Sequence, residues 1–122
     1  MNTNSVPGPQ DIQRKVLKNG ITLLVRSNFN SSSVVLSGIL GAGSLNDLPS
    51  KLGLAHFCSM ALMRGTQNAD FQTIFERLES AGATLGFGAS VHNTSVGGRA
   101  LAEDLSLLIG TLADCVRFPT FP

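Results

Sequence analysis

The segment 53–64 constrains the fold of this chain more than any other, because apolar side chains recur in it at nearly every helical angle. Its apolar members are Leu54, Ala55, Phe57, Met60, Ala61, Leu62 and Met63. A helix that is apolar all round is normally buried on all sides. The pattern therefore predicts a central buried helix, with Met60 and Met63 as core residues and Gly65 as the left-handed residue that ends it.

Three strands are predicted before this helix. Asn19-Gly20 stands between two apolar segments, 13–18 and 21–27, which is a strong signal for a hairpin. A two-residue turn of this kind needs positive φ at both central positions, and Asn-Gly supplies it most readily. The third strand is predicted over 34–40, where β-branched and apolar residues are concentrated.

Two helices and two strands are predicted after it. Asp70 is placed to cap a helix whose apolar side chains recur at positions i, i+3, i+4 and i+7, and Gly82 ends that helix. Strands follow over 85–89 and 93–100, and a last helix over 103–116. The order β-β-β-α-α-β-β-α predicts an α+β fold of two layers, in which a largely antiparallel sheet packs on helices.

Composition limits the classes of function. Only 14% of the 122 residues are charged, against about 25% in a typical domain. Nine Lys and Arg against eight Asp and Glu give a net charge of +1, which argues against nucleic acid as a partner. So little charge indicates a surface that more protein covers. No apolar run is long enough to span a membrane.

The first residues and the cysteines indicate the compartment. Residues 1–12 are polar and rich in turn formers, which predicts a flexible N-terminal segment before a domain over 13–122. They show neither the apolar core of a secretory signal nor an Arg-rich transit peptide. Cys58 and Cys115 both fall in apolar helical patterns and are interpreted first as buried free thiols, with a disulfide or a metal pair as the alternative. Free thiols favour the cytoplasm or another reducing compartment.

The segment 53–66 resembles the core motif of the insulinase/pitrilysin family of zinc metallopeptidases, which includes the mitochondrial processing peptidases. Other blocks resemble the family in the same order, and they cover nearly all of the chain from about residue 15. They are residues 17–20, 41–44, 78–83 and 103–121. The resemblance implies the N-terminal portion of a metallopeptidase half-domain, truncated at its C-terminus. The composition, low in charge and rich in Ser, Gly and Ala, favours a bacterial member.

The family motif is an inverted zinc signature, H-x-x-E-H, in which two His bind zinc and the Glu takes a proton from the zinc-bound water. The resemblance places His56 at the first ligand, Ser59 at the general base and Met60 at the second His. A further Glu ligand of the family would lie beyond Pro122. No catalytic residue and no bound cofactor are therefore expected, although zinc is the cofactor of active relatives. By its residues alone, His56 is interpreted first as a packed or hydrogen-bonded core histidine and second as a surviving metal ligand. A different metal site with Cys58 is the third interpretation, disfavoured because residues two apart point to different faces of a helix.

The resemblance implies a non-catalytic subunit or fragment that pairs with an active homologous metallopeptidase subunit or domain and helps bind a peptide substrate. The alternative is a structural subunit, of the respiratory-complex core-protein type, that handles no peptide. Gly86, Phe87 and Gly88 stand where active members hold an extended peptide by strand addition. A glycine-rich backbone accepts an added strand there, but the family's side-chain clamp is missing.

Overall fold

The computed structural model describes residues 8–122, and it confirms the predicted order of elements and the α+β class. The strands are β1 (Gln13–Val16), β2 (Thr22–Val25), β3 (Ser33–Leu40), β4 (Thr84–Ala89) and β5 (Thr94–Leu101). The helices are α1 (Leu54–Ala61), α2 (Phe71–Ser80) and α3 (Leu105–Arg117). Short 3-10 turns cover Pro9–Asp11, Ser44–Asn46, Pro49–Lys51 and Ala102–Asp104. Of the segment 1–12 that the sequence predicts to be flexible, residues 1–7 lie outside the described part.

The described residues form two compact units that divide after Ser31. The first contains the β1–β2 hairpin, which is antiparallel and pairs Val16 with Thr22. The predicted two-residue turn with two positive φ angles is wrong, because only Gly20 takes one, at 89°. The loop has three residues: the Gly20 amide donates to the Leu17 carbonyl at 2.9 Å, and the Leu17 amide to the Ile21 carbonyl at 2.8 Å. A type I turn followed by a left-handed glycine has this geometry.

The second unit is a three-stranded antiparallel sheet, in the order β3-β5-β4, with helices packed on one face. The residues of the central strand β5 alternate between buried and exposed, and Val96 and Ala100 are among the buried ones. Leu108 and Cys115 of α3 are completely buried. Together with the sheet, the helices bury one apolar core, made of Met63, Ile74, Leu78, Ala83, Ala100, Leu108 and Cys115.

Helix α1 is shorter and much more exposed than the sequence predicts. Phe57 is 72% exposed and Met60 is 55% exposed, so neither is a core residue, whereas Met63 is buried as predicted. The reason is that α1 packs against β4 and the Ser44–Asn46 turn from one side only, and the opposite side remains open among the described residues. Gly65 is not the predicted left-handed cap: it takes no positive φ and bridges to Asp70.

None of the helices within residues 8–122 is long and apolar enough to cross a membrane.

Candidate functional site

The start of α1 is fixed by a carboxylate from the preceding loop. Asp47 accepts hydrogen bonds from the Gly53 amide at Oδ2 and from the Ala55 amide at Oδ1, both at 2.9 Å. Amides in the first turn of a helix have no partner within the helix, and a negative charge there is favoured by the helix dipole. Asp47 therefore sets where α1 begins and how its side chains are oriented.

The loop that carries Asp47 is bound in turn to the connection between β4 and β5. The Ser44 amide donates to the Ser90 carbonyl and the Leu45 amide to the Val91 carbonyl, each at 2.9 Å. Gly43 makes this close approach possible, because a Cβ at this position would lie 2.5 to 2.6 Å from backbone atoms of that connection. The backbone before α1 is thus held in place by the end of β4.

His56, Ser59 and Met60, the residues at the three motif positions, lie in different surroundings. His56 is exposed, so its interpretation as a core histidine is wrong, because it lies on the open side of α1. Ser59 is only 4% exposed, and its hydroxyl donates to the His56 carbonyl at 2.8 Å. Met60 lies one helical turn after His56, on the same exposed side.

These residues do not fit a catalytic zinc site. Zinc in such a site needs three protein ligands, usually nitrogen or oxygen donors. Here His56 contributes a single imidazole, and the Met60 thioether is a soft donor that zinc does not favour. Among the described residues no three His, Cys, Asp or Glu side chains come together as a metal site. Over residues 8–122 every buried side-chain nitrogen or oxygen also has a hydrogen-bond partner, so none is left aimed at an absent ion.

The three residues implicated in peptide binding lie on β4, which is an edge strand of the sheet as described. Gly86 pairs with Gly97 of β5, and the exposed Gly88 pairs with Ser95. Phe87 alternates to the other face, where it packs against the core. Phe87 therefore anchors β4 to the core, while Gly86 and Gly88 add no side chain of their own to its outer face.

An open apolar groove of about 710 Å³ lies along the exposed side of α1. Its lining includes Leu54, Phe57, Cys58, Met60, Ala61, Arg64, Phe71, Phe121 and Pro122. Arg64 is the charged residue of this lining, and its guanidinium stacks over the Phe71 ring at 4.7 Å from the centroid. No local pattern in the sequence predicts this groove, because residues far apart in the chain build it. The Phe and Pro residues within 118–122 are the sequence signal that indicates an apolar surface here.

Both cysteines are free thiols, as the sequence predicts, but only Cys115 is fully buried, while Cys58 is half-buried beside the groove. The Cys115 thiol donates to Sδ of Met63 at 3.7 Å. Burial raises the pKa of Cys115 to about 11, with a further contribution from the charge of Asp114. Cys115 therefore stays a protonated core residue at neutral pH and is not a nucleophile.

The chain is similar in sequence to one known family and to several of its members. The sequence profile described as insulinase (peptidase family M16) matches residues 3–122. The β subunit of the mitochondrial-processing peptidase of Saccharomyces cerevisiae is 30% identical over 112 residues, which cover 92% of this chain and 24% of that protein. An uncharacterized zinc protease of Rickettsia bellii is 29% identical over 105 residues, covering 86% of this chain and 26% of that protein.

Two solved structures share the fold. A peptidase M16 inactive domain from Pseudomonas fluorescens superposes with a TM-score of 0.83 at 25% identity, over 92% of this chain and 27% of that one. Pitrilysin superposes with a TM-score of 0.81 at 22% identity, over 89% of this chain and 12% of that one, which shows the fold alone. The chain spans about a quarter of the length of the two sequence relatives.

Proposed function

The chain belongs to the insulinase family of peptidases, family M16, and on that premise we propose that it is a non-catalytic member that pairs with an active homologous metallopeptidase subunit or domain and helps it bind peptide. The similar structure from Pseudomonas fluorescens, described as an inactive M16 domain, is compatible with such a role.

The observation that carries the proposal is the state of Ser59. In the family motif, the group at this position takes a proton from water. A serine hydroxyl has no basicity near neutral pH unless a neighbouring base activates it. Here the hydroxyl is buried and already donates to the His56 carbonyl at 2.8 Å, so it performs a structural task inside the helix.

The open edge of β4 supports a role in binding peptide. An extended peptide added to a sheet edge gains its affinity from main-chain hydrogen bonds, which do not depend on side chains of the edge strand. Gly86 and Gly88 add no side chain of their own to the outer face of β4, and Phe87 anchors the strand to the core. The main-chain hydrogen bonds that such a peptide would form do not need catalytic side chains on α1.

The apolar groove supports pairing. Leu54, Phe57 and Met60 are each more than 45% exposed along one side of α1. A contiguous apolar surface of this kind marks an interface, since single exposed apolar residues do not form a groove. A homologous domain that covers it would also explain why so apolar a helix contains no charged residue between Leu54 and Ala61.

The test uses the purified chain and an active homologue with an intact H-x-x-E-H motif from the same organism. The chain alone is expected to show no peptidase activity with added zinc, and to raise the homologue's kcat/KM for peptides when mixed with it. Phe57→Asp should weaken the pairing by more than about tenfold, because it buries a charge in an apolar interface. Phe29→Asp is the matched control, since Phe29 is 97% exposed and belongs to the other unit.

Chelator-sensitive peptidase activity of the chain alone would overturn the proposal. Pairing without any change in kcat/KM, together with unchanged β4 amide signals on addition of peptide, would instead support the structural subunit.

A further inference from the structure

The exposed side of α1 carries a nitrogen and a sulfur donor. His56 lies outside the groove lining and has no role in the proposed pairing, whereas Met60 also lines the groove. His56 and Met60 are four residues apart on the same helix, so their Cβ atoms lie about 6 Å apart. Both side chains are exposed, and Met60 is 55% exposed although a methionine normally packs inside. An imidazole nitrogen and a thioether sulfur are therefore presented side by side to solvent.

We infer that His56 and Met60 form a two-ligand site for a soft monovalent metal ion, Cu(I) or Ag(I). Thioether donors select Cu(I) over zinc, and imidazole binds copper well. These d¹⁰ ions accept linear coordination by two donors, whereas zinc requires three protein ligands or more. Side chains one helical turn apart reach such a shared ion without any change in the backbone.

The replacement at the second motif position thus changes the metal preference of the helix. Two His one turn apart match zinc when further ligands complete the site, whereas His with Met matches a soft ion without them. Cys58 lies two residues from each, on a different side of the helix, and lines the groove. It is a competing thiol rather than a third ligand, and the test removes it.

The experiment titrates silver nitrate into the chain carrying Cys58→Ala and follows the ring protons of His56 and the ε-methyl of Met60 by NMR. Both signals are expected to shift together and to saturate at one silver per chain. His56→Ala and Met60→Leu should each weaken binding by at least about tenfold, as read from the remaining partner's signal. His92→Ala and Met63→Leu are matched controls that should bind silver unchanged, since His92 is not on this helix and Met63 is 7% exposed.

Three results would overturn the site. In the first, the signals of His56 and Met60 do not shift at equimolar silver. In the second, silver instead shifts the methyl signal of Met63, which lies beside the buried Cys115. In the third, zinc at the same concentration displaces silver from His56. Each readout is independent of peptidase activity and pairing, so failure here leaves the proposed function standing, and the reverse also holds.

Discussion

Removing the carboxylate that starts α1 should destabilise the fold measurably. Asp47→Ala deletes both hydrogen bonds to the Gly53 and Ala55 amides and leaves these two donors at the helix start without a partner. Loss of a capping side chain destabilises by about 0.5 to 2 kcal/mol, and loss of the charge at the helix N-terminus adds about 0.3 to 1 kcal/mol. We expect a loss of about 2 kcal/mol in the free energy of unfolding.

The measurement is urea unfolding at pH 7, followed by far-ultraviolet circular dichroism, because all three helices lie in the unit after Ser31. With a slope of about 1.5 kcal/mol per molar urea, the midpoint should fall by about 1.3 M. Asp47→Asn keeps one acceptor and loses the charge, so about half of the effect is expected. Amide hydrogen exchange should show the added opening first in α1.

Asp104→Ala is the matched control, because Asp104 precedes α3 but its side chain makes no capping hydrogen bond. It should lose only the dipole contribution, under about 1 kcal/mol. If Asp47→Ala and Asp104→Ala unfold at the same urea concentration, the hydrogen bonds from Asp47 do not hold the start of α1. The explanation given above for the position of α1 is then refuted.

The same titration checks three further predictions. Gly43→Ala should lower the free energy of unfolding by more than about 2 kcal/mol, because its Cβ would lie 2.5 to 2.6 Å from backbone atoms. Gly97→Ala is the control and should not destabilise, because a Cβ there would meet nothing within 4 Å. Equal urea midpoints for the two variants would contradict the steric argument. Leu108→Ala should lose about 2 to 5 kcal/mol from the buried core, against under about 1 kcal/mol for the exposed Ile109→Ala, and similar losses would mean that the core is misplaced. Because burial raises the pKa of Cys115 from 9.0 to about 11, the unfolded thiol ionises first. The contribution of this shift to the free energy of unfolding should therefore be complete below pH 9 and be lost, by about 2 to 3 kcal/mol, as the pH rises to 11. The same loss in Cys115→Ala would show that ionisation of Cys115 is not the cause.

Local patterns were sufficient to predict the order of elements. Asp70 caps α2 as predicted, by accepting a 2.8 Å hydrogen bond from the Thr73 amide. Ile74 and Leu78 face the core as their spacing requires. Each of these features depends on residues within one turn or one strand, so the sequence alone contains the information.

Features that depend on distant residues were not predictable in this way. The apolar pattern of α1 shows that the helix is suited to burial, but not how much of it is covered, and Phe57 remains 72% exposed. The groove brings Phe71 and Phe121 together from positions fifty residues apart. The position of β4 at a sheet edge follows from the strand order β3-β5-β4, which no local pattern determines.

The helical placement of His56, Ser59 and Met60 was predictable from the sequence, but their surroundings were not. All three residues lie on α1, inside the segment that the sequence predicts to be helical. The consequence of Ser59 and Met60 for catalysis stays a prediction. That Ser59 is buried while His56 is exposed depends on which side of α1 faces the sheet, which only the packing of α1 against β4 decides.

The backbone bonds between the loop before α1 and the β4–β5 connection have an evolutionary consequence. They join peptide groups, Ser44 to Ser90 and Leu45 to Val91, so they are indifferent to the side chains at the motif positions. A mutation that abolishes the chemistry on α1 therefore leaves the strand edge and the helix in register. In this scaffold, the position of the helix and the identity of the residues at its motif positions are separate properties, so substitutions at those positions need not alter the fold.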